Sequence, residues 1–202
     1  MRTGTEIAKR SRGRPRAFIP SEVLDRVRTV FMAKGFAAAS GLNRPSLYAA
    51  FGDKEQLYIA TLRFYGARSV DGLEAILNGP GTIKQRLGTV YKMAIDLYTA
   101  PPHRPGCMIV GTAAVESPSH PRIAAVANEL LAAIEQSLER AFAASDLPRK
   151  PSPAARAHMA GAILYAIAIR ARLGAKAADL KAFAASMVPA ICHADRGRPA
   201  RS

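Results

Sequence analysis

"KGFAAASGLNRPSLYAAFGDKEQLY", residues 34 to 58, decides how this chain is read. Its second half has the marks of two helices meeting at a tight corner. Asn43 is placed to cap a short helix, Pro45 is tolerated in a first turn whose amides have no helical partner, and Gly52 stops the helix after Phe51. Asp53 and Gln56, three apart, are the signature of a capping box, and they open a longer helix through Leu57, Ala60, Phe64 and Ala67 toward Leu77. The first half is brief: only Ala37, Ala38, Ala39 and Ser40 stand between Phe36 and Gly41.

Upstream, Ser21 is expected to cap a first helix. Val23, Leu24, Val27, Val30 and Phe31 fall on one face of it, and Gly35 supplies the stop. Residues 1 to 19 are polar, basic and punctuated by Gly13 and Pro15, which reads as a mobile arm. Downstream, Thr82 and Gln85 repeat the capping signature before an amphipathic stripe of Ile83, Leu87, Val90, Ala94 and Leu97. A short apolar segment runs from Cys107 to about Val115. A further stripe joins Ile123, Val126, Leu130, Ile134, Leu138 and Phe142, and two last helices cover roughly 154 to 173 and 177 to 192. No strand-rich segment interrupts them, so the expected fold class is all-α.

The chain of 202 residues carries 29 Lys and Arg against 15 Asp and Glu, a net charge of +14. Residues 1 to 54 hold eleven of the basic residues and four of the acidic ones, so half the excess sits in the first quarter. Such clustering favours a polyanion, nucleic acid or an anionic membrane surface, over a merely soluble surface. The charge-free run 157 to 169 is short of the roughly 20 residues that a membrane helix needs. Two cysteines and an opening without an apolar signal core fit a reducing cytoplasm. The chain has no G-x-S-x-G, no P-loop, no G-x-G-x-x-G after a strand and no paired metal signature; no enzyme, cofactor or dedicated metal site is expected.

"GLNRPSLYAAFGDKEQLY" is a short capped helix of small and polar residues flanked by Arg44 and Lys54, thin enough to enter a major groove. Arg44 and Ser46 are placed to meet bases, Tyr48 and Lys54 to meet phosphates, and the next helix N-terminus adds amide donors. The run resembles the TetR family of transcriptional regulators, whose helix-turn-helix ends in a pattern like "LYxxFGDKExL" before a long connecting helix. "GRPR" in the arm, "PGC" within "RPGCMIVGTAAVE" and "AIAIRARLGA" extend the likeness to a subgroup with an AcrR-like plan.

The resemblance implies an arm at 1–19, a helix-turn-helix domain at 20–66, a ligand-binding and dimerisation domain at 67–195 and a tail at 196–202. It implies an operator of double-stranded DNA, an effector that is mainly apolar or else an electrophile or oxidant, and a homodimer. The expected DNA-binding residues are Arg12, Arg14, Arg16, Asn43, Arg44, Ser46, Leu47, Tyr48 and Lys54. The arm arginines suit a narrow minor groove or plain phosphate attraction. Effector or sensor candidates are Cys107, Tyr91, Met93, Tyr98, Met108, Met159 and Tyr165, each with a plain core role as its alternative. Small and apolar residues at Ala157, Gly161, Ala162, Ile163, Ala166, Ile169 and Leu173, then Leu180, Phe183, Met187 and Ile191, fit a two-fold four-helix interface.

One departure is large. Two helical turns need roughly seven residues and the following turn three or four more, so the family's first motif helix, about eight to nine residues, has no room between Phe36 and Asn43. Two functions compete: a ligand-responsive repressor that binds its operator as a dimer, or a helical dimeric sensing module with impaired specific DNA binding. In the second case the inner face of the 43–51 helix, at Leu47 and Phe51, is expected to lack a partner.

Overall fold

The computed structural model describes residues 20–36, 44–101 and 106–193. Helix α1 (Pro20–Lys34) is followed by α2 (Arg44–Phe51), α3 (Lys54–Leu77) and α4 (Ile83–Tyr98). A π-helical turn (Ile109–Ala113) runs into α5 (Ala114–Glu116), and α6 (Pro121–Ala143), α7 (Pro153–Arg172) and α8 (Ala177–Cys192) complete the order. The described residues contain no strand, and the all-α class holds.

The helix boundaries have local causes. Asp53 accepts the Gln56 amide at 2.8 Å to start α3. Thr82 and Gln85 make both halves of a capping box, the Thr82 amide donating to Gln85 Oε1 at 2.9 Å and the Gln85 amide to Thr82 Oγ1 at 3.3 Å. Ser152 caps α7 through the Ala155 amide, with Pro153 in the first turn. Gly35 and Gly52 end α1 and α2 at φ +73° and +88°, a backbone that residues with a Cβ rarely adopt. One expectation is corrected: α1 begins at Pro20, so Ser21 lies in its first turn instead of capping it. The proline's fixed φ is already that of a helix.

The long stripe read in the sequence is the centre of the molecule. Ile123, Val126, Leu130, Ile134, Leu138 and Phe142 are all buried, and α6 packs between α3 and α7. Helix α8 lies over α4 and α7, and α1 lies on α3. The apolar segment expected at 107–115 is helical but wound one residue wider, with the Ala114 amide donating to the Ile109 carbonyl. That turn meets α1, α3, α6 and α7 at once.

Sequence patterning gave no hint of Arg156. It is 1% exposed, and its guanidinium donates to the carbonyls of Pro151 at 3.1 Å, Pro148 at 3.2 Å and Lys150 at 3.2 Å, and to that of Ile191 in the last turn of α8. A planar fork of five donors can serve several carbonyls at once, and a helix C-terminus welcomes the positive charge. Arg156 thereby ties the loop after α6 to the end of α8. Removing it strands several buried acceptors at about 1 to 3 kcal/mol each. Arg156→Met is therefore expected to lower the unfolding free energy by about 3 kcal/mol or more, and Arg156→Lys to recover only part of that, read from urea denaturation midpoints.

Candidate functional site

An open cleft lies between α3, α4, α6, α7 and the π turn. Leu73, Val90, Ala94, Leu97, Ile109, Ile134 and Leu164 make it mainly apolar, and Ser69, Tyr98 and Cys107 are its polar groups. An apolar lining with a few polar groups is the usual make-up of a small-molecule site.

Gly106 explains how Cys107 comes to be there. Its φ is +67°, a left-handed backbone that favours glycine, and a Cβ on it would stand a tight 3.3 Å from the Ala168 carbonyl of α7. The turn leaves Cys107 7% exposed, beside the phenols of Tyr65 and Tyr98. Burial above all, with the adjoining Cys107 sulfur adding to it, holds both phenols well above the usual tyrosine range. They stay protonated at neutral pH and are available as hydrogen-bond donors.

A second cluster joins this body to the N-terminal helices. The Phe36 ring packs against Tyr58 with centroids 5.2 Å apart, against His120 at 4.7 Å and against Phe31 at 6.2 Å. The Lys54 ammonium sits 4.2 Å over the same ring. The hydroxyls of Tyr58 and Thr112 lie 2.6 Å apart, so α3 is hydrogen-bonded to the π turn. Burial pushes the Tyr58 phenol up to about 12, a rise that its bond to Thr112 opposes. Arg172 of α7 also donates to the Met32 carbonyl of α1 at 3.3 Å.

Of the effector candidates, the cleft brings together Cys107, Met93 and Tyr98. The others go elsewhere. Tyr91 is buried and donates to the Ala160 carbonyl at 3.0 Å, and Met108 is fully buried in the core. Tyr165 donates to Glu135, and Met159 is exposed on α7. None of these four is among the side chains that line the cleft. Sequence reading missed Ser69, Leu73 and Leu164, which sit on stripes that look like ordinary core.

Arg12, Arg14, Arg16 and Asn43 lie outside the described residues, and of Arg44, Ser46 and Tyr48 only the place on α2 is described. Leu47 is 7% exposed and Phe51 half-buried against the core, with α2 packed on α3. The expected unpartnered inner face is thus corrected: α3 covers it. Leu47, buried, braces α2 from inside.

Of the faces read as a dimer interface, Ala157, Gly161, Leu180 and Ile191 are already buried within this chain. Ala162, Ile169 and Leu173 remain exposed, the last two by 49% and 82%, and Ile163, Ala166, Phe183 and Met187 are half-buried.

A basic N-terminal segment, a short helix seated on the first turns of a long one, and a helical body around a cleft define a known arrangement. The structure aligns with the regulator CifR, a TetR family cysteine mutant solved in complex with a 26-base-pair operator DNA, at a TM-score of 0.73 and 23% identity, covering 88% of this chain and 99% of that one. The fold is that of the TetR family. Reduced NemR of Escherichia coli aligns at 0.69 with 17% identity, over 88% of this chain and 99% of NemR.

Among curated proteins, the HTH-type transcriptional repressor BdcR of Escherichia coli K12 is 34% identical over 114 residues, and the HTH-type transcriptional repressor ComR of the same strain is 27% identical over 184. The ComR match covers 85% of this chain and 88% of ComR, whereas the BdcR match spans 52% of this chain and 58% of BdcR. No family model matches the chain. Among the described residues, no helix is long and apolar enough to cross a membrane, and no group of three His, Cys, Asp or Glu could hold a metal ion.

Cys107 lies deep in the cleft, whereas Cys192 is half-buried near the end of α8. A disulfide-exchange reagent is expected to label Cys192 first, and an apolar occupant of the cleft to slow Cys107 further, followed by mass spectrometry of the labelled peptides.

Proposed function

We propose that this chain is a ligand-responsive transcriptional repressor of the TetR type, working as a homodimer in the cytoplasm. The observation that carries the proposal is the double duty of α3. Its first turns seat α2, while Ser69 and Leu73 in its second half line the cleft. A ligand that shifts α3 therefore shifts α2, and two α2 helices in a dimer would no longer match the spacing of successive major grooves. Relatives bearing the name of repressor and a structural neighbour bound to operator DNA support the direction of this reading. The division into a DNA-binding unit at 20–66 and an effector and dimerisation unit at 67–195 belongs to the same proposal, as do base contacts from Arg44 and Ser46 and phosphate contacts from Tyr48, Lys54 and the arm arginines.

The second reading, a sensing dimer with impaired operator reading, is favoured by the seven residues between Phe36 and Arg44. A helix-turn-helix normally braces its reading helix on a partner that also crosses the phosphate backbone. Here α3 does the bracing, and the backbone contacts of that partner are lost. On this second reading binding is expected to be weak, nearly independent of sequence and steeply dependent on salt, because arm and phosphate contacts carry most of it. Fluorescence anisotropy on the chain's own promoter against a scrambled duplex, at two salt concentrations, separates the two readings: equal affinities for both duplexes establish the second. In the same assay Lys54→Ala should weaken all sequences alike and lower the salt slope by about one contact.

For the dimer, the exposed line of Ala162, Ile169 and Leu173, with Phe183 and Met187 beside it, is the face proposed to meet a second copy. An interface of this type buries on the order of 1,600 Å² or more in total. Light scattering at micromolar concentration should give twice the mass of the chain, and Leu173→Glu with Ile169→Glu should give the monomer.

A further inference from the structure

A second hollow, of about 660 Å³, opens off the cleft and shares Ser69, Met93 and Leu97 with it. The two adjoin along these three side chains. None of the residues lining the inner part is charged, whereas the outer part is walled by Asp25 and Arg28 of α1 and Arg68 of α3. The single carboxylate is shared: Asp25 Oδ1 takes Arg28 Nε at 3.1 Å, and Oδ2 takes Arg68 Nη1 at 3.4 Å. One positive charge is left over at the mouth. Both guanidiniums are also seated on aromatic rings, Arg28 at 5.9 Å over Tyr65 and Arg68 at 5.5 Å over Phe64, which limits how far they can swing away.

An apolar passage that ends on a pair of guanidiniums matches one ligand chemistry. We infer that the cleft takes an amphipathic organic anion, a carboxylate on an aliphatic chain, with the chain among Leu73, Ile109 and Leu164 and the carboxylate on Arg28 and Arg68. The inference rests on the cleft being the effector site. A ligand carboxylate is a second acceptor for the same donors, so it competes with Asp25 for Arg68. The Asp25–Arg68 pair joins α1 to α3. Its loss would free α1, the helix that precedes the reading helix α2, and the head group would thereby act on the DNA-binding end directly. Because Arg68 is largely exposed, water screens the contact, and the preference for the anion is about tenfold rather than a thousandfold.

The test compares n-decanoate at submicellar concentration with n-decanol, which has the same chain and no charge, by calorimetric titration of the full chain. Decanoate should bind about tenfold tighter than decanol. Arg68→Gln should remove most of that difference while leaving decanol affinity unchanged, and Asp25→Asn, which frees both guanidiniums, should tighten decanoate severalfold. Hydrogen exchange should quicken in α1 on adding decanoate and not on adding decanol. Equal binding of the two probes, or a preference unaffected by Arg68→Gln combined with Arg28→Gln, overturns the inference. If both probes bind equally and slow the labelling of Cys107, the cleft stands as the effector site and only the head-group assignment falls. If neither probe binds nor protects Cys107, the effector cleft itself is refuted.

Discussion

A phenol buried without a hydrogen-bond partner costs free energy, and the arrangement of this chain turns on how that cost is avoided for Tyr58. The side chain is fully buried, and its hydroxyl lies 2.6 Å from that of Thr112 in the π turn. A π turn carries one residue more than the α-helix, and the geometry here lets Thr112 donate to the Met108 carbonyl while facing Tyr58. The bond fixes α3 against the turn, and the Tyr58 ring then supplies one wall for Phe31 and Phe36. Through these two rings the end of α1 is docked on the body of the molecule. The same turn begins two residues after Cys107, so Thr112, whose bond positions the N-terminal helices, and the thiol that lines the cleft stand five residues apart.

Helix α3 is the consequence of this arrangement for function. It seats α2 at one end and lines the cleft farther along, and with 24 residues it spans about 36 Å. Side-chain contacts between α3 and α6 keep it from acting as a loose lever: Ser137 donates to Glu74 at 2.8 Å, Arg63 pairs with Glu129 at 3.0 Å, and the Ser137 and Arg140 contacts hold the Glu74 carboxyl below its usual range. A rigid rod with two occupied ends transmits displacement, which is what the proposed coupling requires. The short segment 37–43 does not remove that connection. Helix α2 packs on α3 with Leu47 buried.

Much of the fold was legible in the residues themselves. The periodic stripe of α6, the capping pairs at Asp53 and Thr82 and the stops at Gly35 and Gly52 are local signals, set by spacing of three or four residues and by backbone angles that few side chains tolerate. They place helix ends within a residue or two, and they also made the shortage between Phe36 and Asn43 visible, because a helix needs a minimum length wherever it lies.

What the sequence could not decide is which face of each helix meets which neighbour. Tyr91, Met93, Tyr98 and Tyr165 are alike in composition and were grouped together, yet two line the cleft and two do not. The difference is the rotation of α4 and α7 about their axes, which is fixed by packing against α6 and α8 and not by any residue's own preference. Arg156 marks the same boundary from the other side. By itself an arginine predicts solvent, and only the convergence of four carbonyls from two distant segments makes its burial favourable. The sequence by itself determined the helices, their ends and the missing length. The tertiary structure alone decided which polar groups would face each other, because that pairing depends on contacts between segments far apart in the chain.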